Sequence, residues 1–308
     1  MTVLEHRPLT NTPPDHVLTQ SVCGDRLWEC IMRGLIIYMR KALTIAGSDT
    51  SGGAGIQADL KTFQELGVYG MSALTVIVAM DPHDNWNHQV FPVDVDIIKA
   101  QIETGVVGIG VEAMKTGMLP TTDIIELVAR MVKKLGLSNV VVDPVMVCKG
   151  AGEPIHPENA ECYKKTLVPL ATVVTPNLFE ASQLCGIADI DSIDAMKEAA
   201  RIIHGLGPKC VVIKGGKGLD KEKAVDVVYT GKGFELLETS RVDTTYTHGA
   251  GCTFSAAITA ELAKGKALKV ALGVAKAFIT EAIKHSFRLN QYVGPTNHAA
   301  YRSRGELM

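Results

Sequence analysis

The chain predicts an α/β fold, a three-layer sandwich with a mainly parallel central sheet and helices on both faces. Strand-like and helix-like runs alternate from residue 42 to residue 238. The strand-like runs are continuous in Val and Ile, as expected of strands buried on both faces. Glycine-rich or polar turns follow them, where open sheets of this class collect their ligands.

Five runs are read as strands: ALTIAG (42–47), SALTVIVA (72–79), NVVVD (139–143), ATVVT (171–175) and CVVIK (210–214). Between the first two, IQADLKTFQELG has a helical period that puts Ile56, Leu60, Phe63 and Leu66 on one face. IIELVARMVKKLG and IDAMKEAARIIHGLG repeat that period and stop at glycine. AVDVVYTGKGFELLE differs, because two strand-like runs around TGKG predict a hairpin at the sheet edge. The apolar run after THGAGC predicts a helix that begins at a glycine turn.

Residues 1–38 are read apart from the fold. TNTPPDH is polar and broken by prolines, and RLWECIMRGLIIYM has only interrupted apolar content, without the basic start and small-residue cleavage site of a secretory signal. The expected division is an extension over 1–38 and one domain over 39–308, with no internal repeat.

Composition narrows the function. With 308 residues, 46% apolar and 21% charged, the chain can bury a large core. A net charge of −2 with intermixed signs offers no basic face for nucleic acid, so a small molecule is the expected partner. Seven irregularly spaced cysteines fit neither a disulfide framework nor a zinc site and point to a reducing, cytoplasmic setting. No segment reaches the ~20 apolar residues of a membrane span.

The candidate chemistry lies at the strand ends. GSDTSGGAG (47–55) lacks the Lys-Ser/Thr of a P-loop. In DPVMVCKG (143–150), Asp143 is suited to a magnesium ion, directly or through water. TPNLFEA (175–181) sets Asn177 and Glu180 three apart at a helix start, with Glu180 a second candidate for the metal's water shell; a simple helix entry with a capping Asn is the alternative. In THGAGCTFSAA (247–257), Gly249, Ala250 and Gly251 suit backbone closure around an anion at a helix N-terminus. Cys252 follows them where a proton acceptor would stand.

Taken in this order, ALTIAGSDTSGGAGIQADLKTF, KTGML, DPVM, TPNLFEA, VIKGG and THGAGCTFSAA resemble the ribokinase-like kinases, in the branch that phosphorylates hydroxymethyl groups on aromatic nitrogen heterocycles. The resemblance runs from Lys41 to the VGP at 293–295. It implies ATP and Mg2+, with Asn177, Glu180 and Lys214 serving the nucleotide and its metal and Gly249–Gly251 holding the migrating phosphoryl group. The branch commonly carries Cys where sugar kinases carry Asp. A free thiol titrates near ~8.5 and is lowered by a helix N-terminus and nearby cations, so a partly ionised Cys252 is expected to act as the base.

Two acceptors belong to that branch: the hydroxymethylpyrimidine of thiamine synthesis, and pyridoxal, pyridoxine and pyridoxamine. Pyrimidine kinases typically end the second strand with a polar Gln or Glu followed by Asn, whereas here it ends in Ala79, Met80 and Asp81. Met80 packs on a ring but cannot pair with an aminopyrimidine edge. Cys148 in VCKGAGEP and His88 in the loop DPHDNWNHQV resemble a small bacterial group of pyridoxal kinases built on the pyrimidine-kinase scaffold. Gly47, Ser48, Gln57 and Asp59 are expected at the acceptor, Lys115, Thr116 and Met118 are candidates for its pocket wall, and a homodimer is expected. A catalytically dead, nucleotide-binding regulator is the alternative outside enzymology.

Overall fold

The computed structural model describes residues 39–146, 157–216, 219 and 222–303. The chain opens with β1 (Lys41–Asp49), α1 (Gly55–Glu65), β2 (Tyr69–Asp81), β3 (Asn87–Pro92), α2 (Val95–Glu103), β4 (Ala113–Thr116), α3 (Thr122–Lys134) and β5 (Val140–Val142). It continues with α4 (Pro157–Cys162), β6 (Val173–Val174), α5 (Leu178–Cys185), α6 (Ile193–His204), β7 (Val211–Lys214), β8 (Lys223–Tyr229), β9 (Phe234–Ser240), α7 (Ala250–Ala263), α8 (Leu268–Lys284) and α9 (Ala300–Ser303).

The nine strands form one sheet in the order β3-β2-β1-β4-β5-β6-β7-β8-β9. From β2 to β7 the pairs are parallel. Each edge is closed by an antiparallel hairpin, β2–β3 on one side and β8–β9 on the other. The Val-rich strands are buried on both faces as their composition requires. Val140, Val142, Val211 and Ile213 enter one core with α2, α3, α5 and α6, while Val141 and Val212 enter a second core with α1, α7 and α8.

Two expectations are corrected. DPHDNWNHQV is not only a loop, because residues 87–92 pair with β2 as an edge strand, with Met80 opposite His88. Its sequence NHQVFP hides this, since edge positions are largely solvent-facing and tolerate a terminal Pro. The buried face of α1 is also rotated from the apolar stripe. It presents Ala58, Asp59, Thr62 and Phe63 inward, while Ile56 and Leu60 are only half-buried. The GAG turn does start a helix as read: Gly249 takes φ 76° and α7 follows without a side-chain cap.

Candidate active site

A cavity of about 570 Å³ runs across the carboxyl ends of the strands, from one edge hairpin to the other. Gly47, Ser48, Met80 and His88 line it on the β1–β2–β3 side; Thr239, Ser240 and Arg241 of the β9 end and Ile279 and Thr280 of α8 line it on the opposite side. Asp143, Asn177, Glu180, Lys214 and Gly249–Cys252 contribute the rest of the predicted set that the structure brings together here. Cys148 lies outside the described residues.

The glycine turn is placed by a close approach of two loops. A Cβ on Gly249 would run into the carbonyl oxygen of Gly53, and its positive φ also disfavours any side chain. Gly251 sits over the charged part of the site: a Cβ there would be 3.3 Å from Lys214 Nζ and 3.9 Å from Asp143 Oδ2. The uncapped start of α7 thus opens beside a lysine and a carboxylate. That is the arrangement in which helix-end N–H groups and a cation jointly favour an anion.

Asp143 is buried and fully engaged. Its Oδ1 accepts from Lys214 Nζ at 2.8 Å and Thr175 Oγ1 at 3.1 Å, and its Oδ2 accepts from Ser255 Oγ at 3.2 Å. Burial works against the Lys214 ammonium, but the carboxylates of Asp143 and Glu180 outweigh it and keep the lysine charged. Asn177 and Glu180 form a reciprocal cap on α5, with Asn177 Oδ1 accepting from Glu180 N and Glu180 Oε2 from Asn177 N, both at 2.8 Å. The capping alternative is therefore real, and it coexists with a place in the cavity wall. Burial first, and then the charge of Asp143, push the Glu180 carboxyl up to about 7 against the pull of Lys214.

Three expectations at the site change. Asp59 is fully buried and absent from the cavity wall; Lys115 Nζ lies 2.9 Å from each of its oxygens and Thr44 donates to it at 2.6 Å. It is half of a buried ion pair, and its carboxylate holds Lys115 charged. Gln57 stands behind the cavity wall. Its amide clasps the end of β1, donating to Ser48 Oγ at 2.8 Å and accepting from Asp49 N at 3.0 Å, so it positions Ser48. Finally, burial pushes the Cys252 thiol up to about 11, helped by the carboxylates of Asp59 and Asp143 and opposed by Lys115 and a hydrogen bond with Gly55. The expected lowering at a helix end is overridden by desolvation, and the resting thiol is protonated at neutral pH.

One pair was missed. His248 Nε2 lies 2.6 Å from Asp49 Oδ2, joining positions 199 residues apart, and both line the cavity. Burial tends to raise the Asp49 carboxyl, but bonds from His248 and Ser51 prevail and leave it at about 2. The available signal was that each residue stands inside a glycine-rich turn. Thr175 and Ser255 were likewise unread, although one opens TPN and the other sits three residues after Cys252.

The class of protein is now defined. A parallel sheet of this order, crossed at its strand ends by a cleft that joins a ring-sized wall to a cationic, helix-capped centre, is the architecture of ribokinase-like small-molecule kinases. The model of the phosphomethylpyrimidine kinase family matches residues 49–297, and the chain belongs to that family. It is 67% identical over 264 residues to a pyridoxine kinase of Bacillus subtilis (strain 168), covering 86% of this chain and 97% of that protein. The fold superposes with a TM-score of 0.82 on the crystal structure of an ADP complex of Bacillus subtilis pyridoxal kinase, at 64% identity over 86% of this chain and 99% of the other. A Staphylococcus aureus pyridoxal kinase in complex with AMP-PCP and pyridoxal gives a TM-score of 0.80 at 52% identity, covering 85% and 94%.

Proposed function

We propose that this chain transfers a phosphoryl group from ATP to the hydroxymethyl group of pyridoxal, pyridoxine and pyridoxamine. The single observation that carries the acceptor is the 67% identity to a pyridoxine kinase over 97% of that protein's length. The site agrees with it, because Met80 and His88 stand opposite one another in the cavity wall and offer a ring an apolar face and an imidazole. The acceptor binds at the β1–β2–β3 end, near Ser48. The nucleotide binds toward β9 and α8, with Asn177 and Lys214 at its phosphates.

Magnesium fits the residues present. Two buried carboxylates face one lysine, and burial first, then the charge of Asp143, push Glu180 up to about 7. Among the described residues no three acidic, His or Cys side chains converge. Asp143 and Glu180 are therefore suited to hold the ion through its waters, with phosphate oxygens completing its shell. When bound, the ion neutralises charge on the phosphates. Gly249, Ala250 and Gly251 cradle the group in transfer by their backbone N–H groups. Cys252, which lines the cavity beside that turn, is assigned the acceptor's proton, and its raised pKa of about 11 makes the thiolate scarce at neutral pH.

The test is a comparison of kcat/KM for pyridoxal, pyridoxine and hydroxymethylpyrimidine with ATP. A higher value for the pyridoxal group is expected. Preference for the pyrimidine, or efficient conversion of its monophosphate to a diphosphate, overturns the acceptor, and nucleotide binding without turnover of any of them indicates a regulator.

A further inference from the structure

At the tip of the β2–β3 hairpin, Trp86 combines two unfavourable features. Its backbone is left-handed at φ 65°, directly after Asn85 at φ 48°, a conformation bulky residues avoid. Its indole Nε1 is buried with no hydrogen-bond partner among the described residues. Strain of this kind persists where surrounding structure over-determines it, commonly at functional sites. What the arrangement secures is a ring contact. Trp86 stacks on Tyr292 with centroids 5.8 Å apart and planes inclined by 16°.

Each ring leads to one half of the cavity. On the hairpin side, Trp86 N donates to Asp81 O at 3.0 Å, next to the Met80–His88 pair that forms the acceptor wall. On the other side, Tyr292 belongs to a closed turn in which Tyr292 N and Val293 N both donate to Asn290 Oδ1 at 2.8 Å. Two residues further on, Gly294 O accepts from His248 N at 3.1 Å, and Thr296 N donates to His248 O at 3.3 Å. His248 directly precedes the GAG turn. The path from wall to turn is thus a hairpin, a ring stack and one short hydrogen-bonded segment. Neither Trp86 nor Tyr292 lines the main cavity.

We infer that the Trp86–Tyr292 stack is a positioning clasp that sets the acceptor wall against the phosphate turn. Its kinetic consequence rests on the acceptor end proposed above. The stack adds nothing to nucleotide contacts and touches no reacting atom; it holds His88 and Met80 where the acceptor ring must lie.

Tyr292→Ala and Tyr292→Phe in the full chain test this, since Tyr292 is 45% exposed and its truncation leaves no core cavity. Tyr292→Ala should raise KM for pyridoxine about five- to tenfold, with kcat and KM for ATP within about twofold. Tyr292→Phe, which keeps the ring, should behave as the native protein. Amide hydrogens of residues 82–90 should exchange faster in Tyr292→Ala alone. An unchanged acceptor KM with unchanged exchange, an equal rise in both KM values, or a Phe variant as impaired as the Ala variant overturns the clasp. If the native protein fails to phosphorylate pyridoxine, the acceptor reading falls, and the exchange comparison decides the clasp by itself.

Discussion

Lys214 and Asp143 meet at 2.8 Å directly under Gly251, so the cation nearest the glycine turn is already committed to a carboxylate before any anion arrives. Asp143 is almost fully buried, and removing its partner leaves it two hydroxyl donors but takes away the cation paired with it. Lys214→Met should therefore lower stability by about 3 kcal/mol. It should also raise KM for ATP by about tenfold or more, with acceptor KM little changed. Thermal unfolding and initial rates with each substrate varied measure both.

Glu180 should show opposite effects in the free and working protein. Its folded pKa of about 7 lies above the usual carboxylate value, so its contribution to stability is fully present below pH 4.5 and is lost as pH rises through 7. Glu180→Gln should then raise Tm at pH 8, while an amide oxygen still caps the Asn177 N–H. The same variant should need more magnesium and turn over far more slowly, with acceptor KM within about twofold. The magnesium-dependent gain in Tm, read without turnover, should shrink as well.

If Cys252 takes the proton, the protonated resting thiol dictates the pH profile. Its thiolate fraction grows about tenfold per pH unit below its pKa of about 11, so kcat should climb steeply between pH 7 and 9 wherever proton transfer limits the rate. Cys252→Ala should abolish transfer to every acceptor without unfolding the protein. Cys252→Asp should retain some activity and flatten the profile. A flat native profile together with an active Ala variant removes Cys252 from the chemistry.

The edge hairpin presents an apolar face. Ile77 and Phe91 are cross-strand partners, 43% and 52% exposed. Aromatic and aliphatic side chains grouped on an edge strand favour pairing with a second copy. Sedimentation should give a dimer for the native chain and a shift toward monomer for Ile77→Lys with Phe91→Lys.

Much of this was legible in the sequence, for identifiable reasons. Val runs require two buried faces wherever they occur, and a glycine that must take φ 76° against another backbone leaves its mark in the local string. Asp59 and Gln57 were expected at the acceptor from their place at the start of the first helix, and that place does not show where each side chain is turned. Asp59 turns inward to meet Lys115 on a strand that follows two further strands in the chain, and no local pattern announces such a partner. The Cys252 thiol was misjudged for a related reason: helix ends are visible in sequence, whereas the depth at which the thiol is desolvated is a property of the assembled layers. His248 and Asp49 each looked like part of a separate turn until the fold joined them.

The fit of Gly249 against Gly53 also bears on when the protein becomes competent during synthesis. The first turn leaves the ribosome early, yet the backbone that completes it arrives only after all nine strands have been made. Until that segment docks, β1 ends in a turn whose Asp49 lacks its histidine and whose Gly53 lacks the backbone of Gly249. A nascent chain halted before residue 249 already carries most of the cavity wall but lacks the glycine turn and the α8 wall that complete it, so the full stabilisation that ligands give belongs to the finished chain.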